Sequence, residues 1–211
     1  KAKKVVIDIE RVAFKHPLIN IDKFYNYDLS NFIPPLLKKI KNNFNKNIPR
    51  KNWSLYCKKL KKENQISQIN DKSNPINLYR FMHMINKFSK KNTIFTNDAG
   101  SNYYVGGQVW HYEKNQKEIA SSTNAAMGLS VPLSIGASVA NRKSQVISIT
   151  GDGSIELNIQ ELKTISHYNL NIKTFVINNG GYASMINWQD KFFAGNRLDT
   201  SAKTGVGTLN F

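Results

Sequence analysis

The 211 residues suffice for one full domain and part of another, and their 40% hydrophobic content fits a globular core. Cys57 is the only cysteine, which excludes an internal disulfide and a cysteine-based metal cluster. The formal net charge of +16 suggests a polyanion partner, but it is lopsided: residues 1–96 carry 21 Lys and Arg against 6 Asp and Glu, and residues 97–211 carry 9 against 8.

Lys and Asn rise together in the first half, as in Asn42-Asn43-Phe44-Asn45-Lys46-Asn47. This reads as a solvated surface shaped by compositional bias rather than as a nucleic-acid site. Lys1-Ala2-Lys3-Lys4-Val5-Val6-Ile7 is too short an apolar run for a signal peptide. Val5-Val6-Ile7-Asp8-Ile9 reads as a buried strand, and its abrupt opening suggests that the chain begins inside a domain. Residues 18–35 read as loop and turn ending at Pro34-Pro35. Leu36–Phe44 fits a short basic helix, and residues 45–75 a polar linker with a helical segment over Trp53–Lys62. Within it Cys57 reads as a buried or half-buried thiol, fitting a reducing cytoplasm.

From Pro75 the texture changes. Leu78, Phe81, Met82, Ile85 and Phe88 recur at helical spacing, so residues 76–89 predict an amphipathic helix. Thr93–Thr96 is a short strand leading into an Asp98-Ala99-Gly100 loop. Ala125–Ala140 is a small-residue helix that falls short of a membrane span. Val146–Thr150 is a strand ending at Gly151-Asp152-Gly153. Ile155, Ile159, Leu162, Ile165 and Tyr168 mark one face of the next helix, and Ile172–Ile177 is a strand ending at Asn178-Asn179-Gly180-Gly181. The alternation predicts an α/β fold: a parallel sheet with helices on both faces, preceded by the tail of a second α/β domain. The expected organisation is the end of a central domain over 1–35, a basic linker over 36–75, and a ligand-binding domain over 76–211 that looks incomplete at its C-terminus.

In an open parallel sheet, ligands sit outside the carboxyl ends of the strands. Gly151-Asp152-Gly153-Ser154 and Asn178-Asn179-Gly180-Gly181 both fall at such ends, with 24 residues between Gly153 and Asn178. If the two strands are neighbours, Asp152 and Asn179 converge. A carboxylate and an amide oxygen are hard ligands that suit Mg²⁺, which takes its remaining ligands from water and phosphates. Gly153 would let backbone approach, and the helix near Ile155 would turn its free amides toward an anion. Either cluster alone is a common turn sequence; the pair at this separation is far more specific and points to a metal-bridged diphosphate.

This pair resembles the cofactor signature of thiamine diphosphate (ThDP) enzymes. Asp98-Ala99-Gly100, Ala126-Met127-Gly128, Pro132, Ile135-Gly136-Ala137, Asn158–Leu162 and Asn187-Trp188-Gln189-Asp190 are similar, in order, to segments of the acetolactate synthase large subunit. The match covers most of the chain and is strongest over 93–193. The resemblance implies a ThDP-binding fold in which Asp152, the Asn179 side chain and the Gly181 carbonyl hold Mg²⁺. Gly100, Ser101, Asn102, Gly153 and Ser154 would surround the diphosphate. Met127 would wedge beneath the cofactor and bend it, Tyr182 would lie near its rings, and Trp188 would line the substrate channel. Ser101-Asn102 and Gly181-Tyr182-Ala183-Ser184 depart from the usual acetolactate synthase run and bear on the acceptor.

The implied activity is ThDP- and Mg²⁺-dependent decarboxylation and carboligation of a 2-oxo acid such as pyruvate. Two-carbon transfer to a keto-sugar nucleotide, or simple decarboxylation, is the alternative. A basic polyanion-binding protein is the rival of another class. No catalytic residue is assigned in this chain: the activating glutamate is expected from a separate N-terminal domain across a homodimer or homotetramer interface, while Glu156 and Glu161 belong to this half. The motifs leave FAD and a regulatory subunit open.

Overall fold

A computed structural model describes residues 3–11, 20–43, 51–64, 76–121, 123–205, 207–209 and 211. Positions 45–50 and 65–75 of the expected linker, Pro75 included, lie outside the described residues. The chain divides into two compact units, Lys1–Lys61 and Lys62–Phe211.

In the first unit β1 (Val5–Asp8) pairs in parallel with β2 (Lys23–Asn26). The expected loop over 18–35 is therefore corrected: it holds β2 and the start of α1 (Leu29–Asn43), which continues through Pro34 and Pro35. Asp28 starts that helix by accepting the Ser30 N–H at 2.7 Å, an N-terminal stop on unpaired donors. The hydrogen bond from Ser30 holds the Asp28 carboxyl below its usual range. The prolines remove two helical N–H donors, at exposed positions where water can reach the carbonyls left over. β1 is also less buried than its apolar run suggests. Val5 is exposed and the rest of the strand half-buried, because a strand pair shields each strand along one edge only. α2 (Lys51–Glu63) covers the expected helical segment, and Cys57 on it is exposed rather than buried.

The second unit is built on a four-stranded sheet in the order β4-β3-β5-β6, all parallel: β3 (Ile94–Asn97), β4 (Lys117–Ala120), β5 (Val146–Gly151) and β6 (Ile172–Ile177). Side chains alternate across a strand, and the register separates two packed faces. Phe95, Ile147, Ile149, Phe175 and Ile177 pack with Met82 of α3 (Leu78–Phe88) and with Val105 and Val109 of α4 (Ser101–Val109). Ile94, Val146 and Ile172 pack with Ala137 of α5 (Ser130–Ala140). Helices thus cover both faces. Phe95, Met82, Val146 and Ile149 are fully buried, each side chain contributing roughly 1.5–3 kcal/mol of apolar transfer.

α3 matches its periodicity and is capped by Asn77 Oδ1, which accepts the Tyr79 and Arg80 N–H groups at 2.9 and 3.3 Å. α5 begins at Ser130, not Ala125, and its small residues carry a buried hydroxyl chain. Ser130 Oγ lies 2.8 Å from Ser148 Oγ and 3.1 Å from Thr96 Oγ1, and donates to the Thr96 carbonyl at 3.0 Å. The helix expected from Ile155 to Tyr168 is broken. A single turn, α6 (Asp152–Ile155), is followed by α7 (Glu161–His167), with Leu162 and Tyr168 exposed. α4, β4 and α8 (Ala183–Phe192) are additional elements. Among the described residues no helix is long and apolar enough to cross a membrane.

Candidate functional site

The chain runs from β3 outward to β4 on one side, then returns to β5 and β6 on the other. The order therefore reverses between β3 and β5, and a crevice opens beyond the carboxyl ends of strands at such a reversal. The loops that meet there are Asp98–Gly100 after β3, Asp152–Ser154 after β5, and Asn178–Tyr182 after β6.

Asp152 leaves β5 as its last residue's neighbour, is 1% exposed, and turns its carboxylate across to the β6 loop. Its Oδ2 accepts the backbone N–H groups of Asn179, Gly180 and Gly181 at 3.2, 2.8 and 2.9 Å, while Oδ1 accepts the Gly153 N–H at 2.9 Å. The two sequence clusters are thus brought into direct contact. Gly180 and Gly181 adopt φ of 80° and 123°, a region open to glycine. A Cβ at Gly181 would lie 2.5 Å from the Thr200 carbonyl oxygen. The Gly181 carbonyl accepts the Ala183 N–H at 3.0 Å and keeps a second lone pair. Asn179 is exposed.

A carboxylate, a carboxamide and a backbone carbonyl are hard oxygen donors of the kind that suits Mg²⁺. Among the described residues no three His, Cys, Asp or Glu side chains gather, so a cation held at Asp152 would need amide or backbone oxygens beside it. The helix-dipole argument at Ile155 is corrected, however. α6 is one turn long and carries little macrodipole.

Gly153 also answers a steric need. A Cβ there would press on the Tyr182 ring, 2.8 Å from Cδ1 and nearer still to Cε1. The glycine therefore seats Tyr182 over the Asp152 loop. Ser154 is buried. Asn102 is 4% exposed and donates Nδ2 to the carbonyls of Asp98 and Ile149 at 3.2 and 3.3 Å. Its amide nitrogen ties the loop to β5. Gly100 has φ of 95° and precedes Ser101, whose Oγ lies 3.3 Å from Ser184 Oγ at the start of α8.

Met127 is half-buried and precedes Gly128, which has φ of 80°. A Gly128 Cβ would lie 2.8 Å from Leu157 Cβ, and the Gly128 carbonyl accepts Asn158 Nδ2 at 2.8 Å. Trp188 is 60% exposed, its ring 4.6 Å from that of Phe192, so it is not a core residue.

Asp98 is the residue that site reasoning passed over. It is 2% exposed and accepts Gly128 N–H, Ala99 N–H and Thr150 Oγ1–H at 2.8, 3.0 and 2.8 Å. The available signal was an acidic residue ending a buried strand. Nearby, Asn97 Nδ2 donates to Glu118 at 2.7 Å and Tyr112 donates to the same carboxylate. Burial first, then the Glu118 hydrogen bond and charge, push the Tyr112 phenol far up.

The family model for the thiamine pyrophosphate enzyme C-terminal TPP-binding domain matches residues 98–211. The chain is 34% identical to acetolactate synthase 2, chloroplastic, of Brassica napus over 119 residues, 56% of this chain and 19% of that protein. It is 32% identical to the acetolactate synthase large subunit of Buchnera aphidicola (Schizaphis graminum strain) over 145 residues, 69% of this chain and 25% of that protein. The matched stretch thus spans about a fifth to a quarter of these relatives.

Proposed function

Because the chain belongs to the thiamine pyrophosphate enzymes and carries their C-terminal TPP-binding domain, we propose that its β3–β5–β6 crevice binds ThDP through Mg²⁺ and that the whole protein decarboxylates and joins 2-oxo acids such as pyruvate. The observation that carries the site is the Asp152 carboxylate receiving the amides of Asn179, Gly180 and Gly181. It joins one acidic group to one loop of small residues at the strand ends. Asp152, the Asn179 side chain and the Gly181 carbonyl would hold Mg²⁺. Gly153, Ser154, Ser101 and Asn102 would surround the diphosphate. Gly100 would let the chain turn there, Met127 would support the bent cofactor, and Tyr182 would lie against its rings. Trp188 would line the substrate channel.

When bound, ThDP supplies the electron sink that lets a 2-oxo acid lose CO₂ and its acyl carbon join a second carbonyl. The residues of this chain would orient the cofactor and exclude water; the glutamate that activates the cofactor through its aminopyrimidine is expected from another domain, across a homo-oligomer interface. We place the protein in the cytoplasm and residues 76–211 in the cofactor domain. The assay is product formation by the full-length protein from pyruvate with ThDP and Mg²⁺; no CO₂ release under those conditions refutes the activity.

A second acceptor class has one observation in its favour. The two departing segments, Ser101-Asn102 and Gly181-Tyr182-Ala183-Ser184, touch, with Ser101 Oγ 3.3 Å from Ser184 Oγ, so the change is local to one place and would suit a different acceptor, such as a keto-sugar. Adding keto-sugars to the pyruvate assay separates the two: a new carboligated product favours the second acceptor, and acetolactate alone favours the first.

A further inference from the structure

We propose that Asp98 is a positioning residue that sets the Met127–Gly128 turn against the Gly151–Ser154 loop and so fixes the spacing between two walls of the crevice. The inference rests on reading that crevice as the ThDP site.

Asp98 stands at the tip of β3, the strand on one side of the topological reversal. Its own backbone is fixed: its N–H donates to the Ile149 carbonyl at 3.1 Å, and its carbonyl accepts Asn102 Nδ2 at 3.2 Å. The carboxylate is therefore aimed rather than free to swing. Oδ1 reaches the Gly128 N–H at 2.8 Å, one residue past Met127. Oδ2 reaches Thr150 Oγ1 at 2.8 Å, two residues before Asp152. One buried side chain thus holds both the support proposed for the cofactor's rings and the strand end that delivers the proposed metal ligand.

The far side of the turn is gripped as well. Asn158 Nδ2 donates to the Gly128 carbonyl at 2.8 Å, and Leu157 leaves no space for a side chain at Gly128. The turn is held by its N–H from β3 and by its carbonyl from the segment after α6. Hydrogen bonds to an ionised acceptor are short and strong. Removing this acceptor leaves two amides and a hydroxyl without it, so the turn would relax away from its position.

A merely structural carboxylate would stabilise the fold and leave cofactor affinity alone, and the variants separate these roles. Asp98→Ala removes the acceptor. Asp98→Asn keeps one oxygen for the amides and offers an N–H to Thr150 Oγ1, whose hydroxyl can turn to accept it.

The measurements use the full-length protein well below its melting temperature. They are the dissociation constant for ThDP in saturating Mg²⁺ by calorimetry, the thermal midpoint without cofactor, and the rate of deuterium exchange at the thiazolium C2 position. We expect Asp98→Ala, still folded, to bind ThDP about tenfold or more weakly and to slow the exchange, with Asp98→Asn restoring most of both. An Asp98→Ala protein with a lowered midpoint but wild-type affinity and exchange overturns the inference. If Asp98→Ala does not fold, Thr150→Val and Asn158→Ala carry the test: weakened binding in either supports positioning, and unchanged binding in both overturns it. Wild-type protein that takes up no ThDP overturns the site reading itself, and this inference with it.

Discussion

Replacing Gly153 by alanine tests whether Tyr182, rather than an approaching ligand, is what forbids a side chain in the Asp152 loop. Gly153 lies in the one-turn helix α6, where alanine would ordinarily gain about 0.5–1 kcal/mol over glycine. Against that gain, the new methyl group would lie 2.8 Å from Tyr182 Cδ1 and closer to Cε1. Overpacking of this kind costs about 1–3 kcal/mol. We therefore expect Gly153→Ala to destabilise the cofactor-free unit by roughly 1 kcal/mol, the difference between the middles of these two ranges. In a Tyr182→Ala background the same substitution loses its obstacle and becomes neutral or stabilising. The coupling in the double-mutant cycle should equal the overpacking term, about 1–3 kcal/mol, within the range for touching residues. Urea unfolding followed by far-ultraviolet circular dichroism would show the single variant's midpoint lowered by roughly 0.5 M for an m-value of about 2 kcal/mol/M. Additivity of the two substitutions to within about 0.5 kcal/mol would refute the reasoning.

Three further outcomes follow from the same geometry. Gly128→Ala places a side chain at φ of 80° and 2.8 Å from Leu157 Cβ, and should cost about 2–4 kcal/mol of unfolding free energy in the same assay. Ser130→Ala breaks the buried contacts to Thr96 and Ser148 and should cost about 1–3 kcal/mol, read as a lowered thermal midpoint. Arg197 hydrogen-bonds Asp190 at 2.7 and 2.6 Å and holds its carboxyl below the usual range. A depressed folded-state pKa contributes stability above the unfolded value, about 3.9, and that stability is lost as pH falls through the lower folded value. The difference between wild type and Asp190→Asn should therefore be present near neutral pH, fade in acid and shrink with salt, as unfolding curves across pH would show.

Strands were the most legible elements, because β3, β5 and β6 are short apolar runs ended by turn residues. Their parallel pairing followed from the helices between them. β4 escaped because Lys117-Glu118-Ile119-Ala120 is polar: it lies at the end of the described strand order and hydrogen-bonds to β3 alone. α4 escaped because Gly106 and Gly107 argue against helix, although the Gly106 position packs against Asn97 and Trp110 with little space for a side chain. Pro34-Pro35 misdirected the reading of α1, where Asp28 was the better signal. The convergence of Asp152 with the Asn179 loop was legible from spacing alone. The reason for Gly153 was not, since nothing in the sequence places Tyr182 above it. Asp98 was hidden for a related cause: its partners at Gly128 and Thr150 lie 30 and 52 residues away.

The most direct test is calorimetry of the full-length protein with ThDP and Mg²⁺ using Asn179→Ala, whose exposed side chain can be removed while its backbone bond to Asp152 is kept. The account predicts wild-type binding that requires both cofactor and cation, and a large loss of affinity in Asn179→Ala and in folded Asp152→Ala. Undiminished Mg²⁺-dependent binding in both variants would contradict it.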